Sequence, residues 1–302
     1  MDLTHIDTER GNPNTMEIDR QSTLGMLKLM NDEDARVAAA VRAELNNIAQ
    51  AVDLVYECLR RGGRLVYLGS GTSGRLGVLD AVECPPTFGV DPGLVVGLMA
   101  GGAAAFVKAA EGAEDNARAG EDDLKSIGFG EQDALVGIAA SGRTPYVLGG
   151  MAYAKGLGAV VIGLSCTRNA RIAAHARVMI APLPGPEVIT GSTRLKSGTA
   201  QKMVLNMLST AVMIKLGKVY GNLMVDVMAT NEKLRQRAAS ILVQTCAVTQ
   251  EQARAALVET GGSVKTAIVC LKCGLGRLRA EELLKRAEGH VAEALKLCGA
   301  EP

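Results

Sequence analysis

Tryptophan is absent from this 302-residue sequence, phenylalanine occurs three times and tyrosine five times. Proteins that hold single-stranded nucleic acid stack bases on aromatic rings, so a sequence this poor in them is a weak candidate for that class. An excess of charge of one sign is also lacking: 33 Lys and Arg stand against 32 Asp and Glu, a formal net charge of +1. That balance argues against a broad nucleic-acid surface and against a polybasic membrane anchor. Long apolar runs are missing too. The longest, residues 93–107, is rich in Gly and Ala and falls short of the roughly 18 residues of a membrane span. The first twenty residues carry charges throughout, without the apolar centre of a signal peptide. The seven cysteines (Cys58, Cys84, Cys166, Cys246, Cys270, Cys273 and Cys298) are odd in number and do not have the spacing of a secreted scaffold. These features together lead us to expect a cytoplasmic protein with reduced thiols, no membrane association and no nucleic-acid partner.

What is present is an ordinary globular composition, 48% hydrophobic and 22% charged. The length suits one large domain or two smaller ones. The first twenty residues read as a polar arm with a turn at Asn12-Pro13-Asn14. Residues 23–61 carry apolar side chains at helical spacing (Ile48, Val52, Val55, Leu59), which predicts one or two helices ended by Gly62-Gly63. Five short apolar runs follow, at residues 64–68, 94–99, 134–139, 159–164 and 178–181. They lack alternation, as strands buried on both faces do. Helical stretches are predicted between most of them, at 76–83, 104–125 and 146–156, and a long amphipathic helix over 194–216. This alternation predicts an α/β fold, a doubly wound parallel sheet of about five strands. Beyond about residue 220 the strands stop. A weak repeat at an offset of 27 residues matches Ala253, Leu257, Gly262, Val264 and Ala267 to Ala280, Leu284, Gly289, Val291 and Ala294, which predicts a small helical C-terminal module. Thr249 and Gln252 have the spacing of a capping box.

Three strand ends lead into loops of glycine and hydroxyl residues: Gly69-Ser-Gly-Thr-Ser-Gly74, Ser141-Gly-Arg-Thr144 and Gly191-Ser-Thr193. Glycine lets a ligand approach the backbone, the N–H groups of a helix N-terminus attract an anion, and Ser and Thr add neutral donors. The pattern suits a phosphate carried on a small molecule. The first loop also fits G-x-G-x-x-G, but a dinucleotide site needs an acid at the end of the second strand, and the sequence there is Met99-Ala-Gly-Gly102. No G-x-x-x-x-G-K-[ST] loop is present. A phosphosugar is therefore favoured over a dinucleotide, and ordinary turns and caps are the blander reading of any one loop. Ser70, Gly71, Thr72, Ser73, Ser141, Thr144, Ser192 and Thr193 are the candidate phosphate and sugar contacts. Lys196 and Lys202 are candidate partners for phosphate charge, or solvated helix residues.

Among the acids, Glu83 lies near the end of the helix that begins at the first loop, with apolar neighbours and the pair Pro85-Pro86 expected to end that helix. Asp80 is three residues earlier on the same face. Glu111, Glu114 and Asp115 are expected to cluster on the next helix, Glu111 and Glu114 sharing a face. A helix carboxylate is more often a solvated charge, and Glu83 rises above that background. His5, His175 and His290 make no metal-ligand spacing. Cys270-Leu-Lys-Cys273 lacks the further ligands that zinc requires, and Cys298 alone does not supply them.

The stretches Gly69-Ser-Gly-Thr-Ser-Gly-Arg-Leu-Gly77, Asp80-Ala-Val-Glu-Cys-Pro-Pro-Thr-Phe-Gly89, Ala110-Glu-Gly-Ala-Glu-Asp115 and Thr190-Gly-Ser-Thr-Arg-Leu-Lys196 resemble the N-acetylmuramic acid 6-phosphate etherases, as do Thr8-Glu-Arg10 and Asn12-Pro-Asn-Thr15. The likeness runs nearly end to end. It implies a sugar-isomerase (SIS) fold of flavodoxin-like type and a homodimer. It also implies cleavage of a lactyl ether to give N-acetylglucosamine 6-phosphate and D-lactate in cell-wall sugar recycling. The family's two functional glutamates fall on Glu83 and Glu114. The domains expected are an N-terminal arm and helices over 1–54, a phosphosugar-binding SIS domain over 55–218 and a helical module over 219–302.

The chemistry needs no cofactor. Ring opening exposes an aldehyde at C1 that acidifies the C2 proton, so the substrate's own carbonyl is the electron sink. Two carboxyl groups can move the protons if burial raises a pKa toward the working pH. Glu83 is expected to protonate the leaving ether oxygen and Glu114 to act at C2 or on water. The roles are exchangeable, or Glu83 serves both. An aldose–ketose isomerase and a non-catalytic phosphosugar sensor are the rival readings.

Overall fold

In a computed structural model of the chain, residues 7–108, 110–226 and 232–300 are described, and His5 lies outside them. The chain divides into two units, Met1–Val82 with Pro92–Ser209, and Glu83–Asp91 with Thr210–Pro302. No helix among the described residues is long and apolar enough to cross a membrane.

The first unit opens with the arm and three helices, α1 (Thr23–Asp34), α2 (Val37–Arg42) and α3 (Leu45–Arg60). Ser22 caps α1 by accepting from the Gly25 N–H. The strands and helices then alternate: β1 (Leu65–Gly69), α4 (Gly71–Phe88), β2 (Val95–Met99), α5 (Ala104–Val107), α6 (Ala117–Ser126), β3 (Ala134–Ile138), α7 (Pro145–Gly156), β4 (Val160–Leu164), β5 (Val178–Ile180) and α8 (Lys196–Lys215). The five strands lie in the order β2-β1-β3-β4-β5, and every pairing is parallel. The predicted doubly wound sheet is therefore the observed one. The chain steps outward from β1 to β2 and returns across β1 to β3, so the winding reverses between β1 and β3. In such sheets that reversal opens a crevice at the C-terminal strand ends.

All five residues of β1 and of β3 are buried, which explains their unbroken apolar sequences. Val66, Leu68 and Leu135 pack against Leu124 of α6 and Tyr146, Val147 and Met151 of α7. Tyr67 points to the opposite face, where its hydroxyl donates to Asp80 of α4 at 2.8 Å.

Two predicted helices change. The expected helix over 104–125 is broken into α5, a 3₁₀ turn at Ala113–Asp115 and α6. Gly112 is left-handed there (φ 74°), and Asn116 starts α6 by accepting from the Ala119 N–H. Glu111 and Glu114 thus do not share a helix face. In contrast, α4 begins at Gly71 rather than at residue 76 and runs through Pro85 and Pro86 to Phe88. The prolines withhold two N–H donors only in the last turn, and Gly89 (φ 63°) ends the helix by donating to the Pro85 carbonyl.

A buried ion pair ties α1 to α8. The Lys196 ammonium is fully buried and donates to Glu33 Oε2 and to the Pro184 carbonyl. Asn14 of the arm donates to Glu33 Oε1 at 2.8 Å. Burial pushes the Glu33 carboxyl up, but hydrogen bonds from Lys196, Asn14 and Asn12 and the Lys196 charge outweigh it and lower the pKa from 4.5 to about 2. The arm also reaches the chain ahead of α8, with Asn12 donating to the Pro186 carbonyl and Thr15 to the Val188 carbonyl.

The second unit holds a short antiparallel hairpin, β6 (Val219–Tyr220) with β7 (Leu223–Met224), at the point where the sequence suggested that strands stop. It continues with α9 (Glu232–Cys246), α10 (Gln250–Glu259), α11 (Val264–Cys273), α12 (Arg277–Arg286) and α13 (Val291–Leu297). The starts of α10 and α12, and of α11 and α13, are 27 residues apart, which is the period of the repeat. Its matched residues Ala253, Ala267, Ala280 and Ala294 are all at 0% exposure in one core. The Thr249–Gln252 capping box is complete. Cys273 at the end of α11 is disulfide-bonded to Cys298 just after α13, a correction to the expectation of reduced thiols throughout. The helical repeat packs α11 against α13 and so brings the two ends together. Cys270 remains free.

Glu33→Gln is expected to destabilise the protein by about 3–5 kcal/mol at pH 7, because it leaves a buried ammonium without its counter-charge. The folded-state pKa is depressed, so the contribution is present above about pH 4.5 and is lost as pH falls through about 2. Denaturant unfolding of both forms at neutral and acid pH measures this convergence. Reduction, or Cys298→Ser, is expected to cost the helical module about 3–4 kcal/mol for the loop that the bond closes. A thermal scan with and without dithiothreitol checks it.

Candidate active site

The loop after β1 owes its shape to close packing. A Cβ on Gly74 would lie 2.7 Å from the Gly69 carbonyl oxygen and 2.6 Å from Met99 Cβ. Glycine there lets the first turn of α4 seat directly on the ends of β1 and β2. The N–H groups of that first turn have no acceptor within the helix. They sit at the C-terminal strand edge, beside the winding reversal.

Ser70 precedes this turn, and its Oγ donates to Glu114 Oε2 at 3.0 Å. Ser70, Gly71, Arg75, Glu111 and Glu114 line a cavity of about 210 Å³ floored by Met99 and Ala100. The structure thus brings the first glycine loop and one of the two predicted glutamates together. Ser73 is only 8% exposed and donates to Gln201 Oε1 of α8 at 2.9 Å, tying α4 to α8. The Thr72 methyl lies beside Gly198, 3.4 Å from where a Cβ would stand.

The second loop leaves β3 through Ser141 and enters α7 at Pro145, with Thr144 before it. The Gly142 carbonyl accepts from the Ile172 N–H, which holds the loop to the chain after β4. The third loop turns at Ile189–Ser192, where the Ser192 N–H donates to the Ile189 carbonyl at 2.9 Å. Glu9 of the arm comes within 3.2 Å of where a Gly191 Cβ would be. The hydroxyls of Thr72, Ser141, Thr144, Ser192 and Thr193 engage no other side chain among the described residues.

The helix after the third loop differs from the one after the first. Glu187 is fully buried, and its carboxylate accepts from the Lys196 N–H, the Ser197 N–H and the Ser197 hydroxyl at 2.9, 2.9 and 2.7 Å. The chain's own carboxylate therefore occupies the start of α8. Lys196, a candidate phosphate partner in the sequence, is committed to Glu33, and Lys202 is exposed.

Glu83 lies on the later part of α4, in the segment grouped with the second unit, and is exposed between Val82 and the buried Cys84. Glu114 is also exposed. The burial that the sequence reading invoked for these carboxyls is not supplied within the chain. Asp80 is instead the buried acid of α4. It accepts from the Tyr67 hydroxyl, from Asn206 Nδ2 at 2.6 Å and from the Ser209 hydroxyl at 3.1 Å.

Sequence reasoning missed Arg75, Glu187 and Gln201. Arg75 had a signal, being the residue directly after the third glycine of the loop. Glu187 had none, because its partners Lys196 and Ser197 are nine and ten residues away. Arg143 Nε and Gln201 Nε2 are buried without a hydrogen-bond partner among the described residues.

The model of the glucokinase regulatory protein N-terminal SIS domain matches residues 47–155. An N-acetylmuramic acid 6-phosphate etherase of Clostridium botulinum (strain Okra / Type B1) is 55% identical over 294 residues, 97% of each chain. One from Mycolicibacterium smegmatis is 55% identical over 295 residues, 98% of this chain and 99% of that one. The chain belongs to the N-acetylmuramic acid 6-phosphate etherase family. The solved phosphoheptose isomerase GmhA from Neisseria gonorrhoeae shares the fold at a TM-score of 0.50 and 19% identity, covering 63% of this chain and 98% of that one.

In this etherase-family chain, Gly74→Ala is expected to lower stability by about 1–3 kcal/mol, since the added methyl meets backbone and strand rather than a yielding side chain. Gly156→Ala, whose Cβ would meet nothing within 4 Å, is the contrasting change and is expected to be neutral or slightly stabilising. Thermal melts of the two variants decide it.

Proposed function

We propose that this chain cleaves the D-lactyl ether of N-acetylmuramic acid 6-phosphate, giving N-acetylglucosamine 6-phosphate and D-lactate. The observation that carries the chemistry is the cavity in which the N-terminus of α4 meets Glu114 through Ser70. Full-length similarity to proteins named for this reaction supports the substrate.

The open-chain sugar presents its C1 aldehyde, and a carboxylate removes the C2 proton. Electrons move into C2–C3 as the C3–oxygen bond breaks, and an acid delivers a proton to the departing lactate oxygen. Water then adds at C3 of the unsaturated aldehyde, and C2 regains a proton. The Ser70 hydroxyl binds one oxygen of Glu114, which lines the cavity and suits proton transfer at C2 or to water. Glu83 is assigned to the ether oxygen. Each positioned acid or base is worth about 10²–10⁴-fold. The hydroxyls of Ser70, Thr72, Ser73, Ser141, Thr144, Ser192 and Thr193, with the Gly71 backbone, are assigned to phosphate and sugar, Ser73 chiefly through its tie to Gln201.

Both glutamates are exposed in the single chain. Their desolvation is assigned to the bound sugar and to a second copy of the chain in a homodimer. A phosphorylated amino sugar as substrate fits a cytoplasmic enzyme. The domain reading is an arm with helices over 1–54, an SIS domain over 55–218 and a helical module over 219–302.

Lactate release from the phosphorylated sugar, measured beside the unphosphorylated sugar, tests the proposal. Glu83→Gln is expected to lose at least about 100-fold in turnover while still binding phosphosugar. Normal turnover in that variant would sink the assignment of Glu83. Binding without lactate from the unmodified protein would point to a sensor, and absence of both to a different phosphosugar.

A further inference from the structure

We infer that Arg75 is a positioning residue that holds Glu114 in register with the phosphosugar loop, an inference that rests on the reading of Glu114 as an acid/base group. Arg75 is on α4, one turn beyond Gly71 and five residues after Ser70. Its Nε donates to the Phe106 carbonyl at 2.9 Å and its Nη2 to the Ala105 carbonyl at 2.7 Å. These carbonyls belong to α5, a four-residue helix whose last carbonyls have no acceptor role left within it. A guanidinium presents N–H donors in a rigid fork, which matches two adjacent carbonyls in a way an ammonium does not.

The stretch 110–114 holds no helix or strand beyond the 3₁₀ turn at Ala113–Asp115. It folds over Gly101, where a Cβ would lie 2.7 Å from Ala110 Cβ, 3.0 Å from Ala105 Cβ and 3.5 Å from Ala113 Cβ. Ala105, gripped by Arg75, therefore shares one contact point with Ala110 and Ala113, the second of which directly precedes Glu114. The grip on Ala105 is transmitted to Glu114 through this packing. Ser70 fixes the carboxylate at the other end, at 3.0 Å. The helix whose N-terminus faces the ligand thus holds the Glu114 segment at two points, Ser70 on the side chain and Arg75 on the backbone.

A solvated helix charge is the bland alternative for an arginine on α4. Against it, Arg75 pairs with no acid among the described residues, and its donors go to main-chain carbonyls. It also lines the same 210 Å³ cavity as Ser70 and Glu114. Misplacing a reacting group by about 1 Å costs on the order of 10²-fold, so an anchor of this kind has a kinetic signature.

The test is a double-mutant cycle on lactate release, with Arg75→Ala, Glu114→Gln and both changes together, and with Arg75→Lys beside them. Arg75→Ala is expected to lower kcat by about 10–100-fold with KM changed less than about threefold. Guanidinium ion, added well below denaturing concentrations, is expected to restore part of that loss in Arg75→Ala alone. In the Glu114→Gln background, Arg75→Ala is expected to have no further effect, because the group it positions is gone. An unchanged kcat in Arg75→Ala overturns the inference, and so do losses that multiply in the double variant. If Arg75→Ala does not fold, Arg75→Lys carries the cycle, and a wild-type kcat in that variant overturns the inference equally. Full turnover in Glu114→Gln is a separate result. It removes the assignment of Glu114 itself, whatever the arginine variants do.

Discussion

The seat of α4 on the sheet is the constraint on which the site depends. Gly74 admits the first turn against Gly69 and Met99, and a Cβ on Gly77 would stand 2.9 Å from Tyr67 Cβ. One turn later Asp80 is held from three sides, by Tyr67 of β1 and by Asn206 and Ser209 of α8. A helix fixed along its length in this way cannot slide or roll without breaking buried hydrogen bonds, and each such loss costs about 1–3 kcal/mol. Ser70, Thr72, Ser73 and Arg75 take their places from that seat. A glycine motif shared in outline with dinucleotide folds thus serves a more general purpose, bringing a helix N-terminus close to a strand end.

The carboxylates divide by burial. Glu33, Asp80, Asp133 and Glu187 are buried, and each accepts from several donors. Burial raises the Asp133 carboxyl, but hydrogen bonds from the Arg64 side chain and from the Gly130 and Arg64 backbone hold it below the ordinary range. A buried charge must be paired in this way, and pairing uses the lone pairs that a reaction would need. Glu83 and Glu114 are exposed, and among the described residues Glu114 accepts from the Ser70 hydroxyl. The proposed roles of Glu83 and Glu114 therefore fall on carboxylates that the fold has not enclosed, and the proposal assigns their desolvation to the bound sugar and a second copy of the chain.

Legibility in the sequence followed the range of the interaction. β1 and β3 were plain because complete burial writes an unbroken apolar run, and the 27-residue repeat because each copy spends the same small residues on one core. The break between α5 and α6 was missed because Ala, Glu and Asp read as helix formers. The left-handed turn at Gly112 and the cap at Asn116 override that propensity. Pro85 and Pro86 take two N–H donors from the Ala81 and Val82 carbonyls, yet α4 runs on through them to Phe88, so they end the helix two residues later than their positions suggest. The Cys273–Cys298 bond was hidden because its partners meet only once the repeat packs α11 on α13. Gln201 was invisible as a site residue, since its partner lies 128 positions away, and Arg75 had only its place after the third glycine to mark it, since its partners lie 31 and 30 positions away.

The three hydroxyl loops show most clearly what sequence pattern cannot resolve. All three read as a place where a helix start meets Ser and Thr, and on that pattern all three attract an anion equally. At α8 the chain has placed its own anion, because Glu187 takes the Lys196 and Ser197 N–H groups and is buried there. A helix N-terminus carries roughly half a positive charge, and one carboxylate already offsets it. A phosphate approaching α8 would meet that carboxylate's field in a poorly screened setting, whereas the helix itself leaves the first N–H groups of α4 unpaired. The loops are therefore electrostatically unlike, and the role proposed for Ser192 and Thr193 is confined to that of neutral donors.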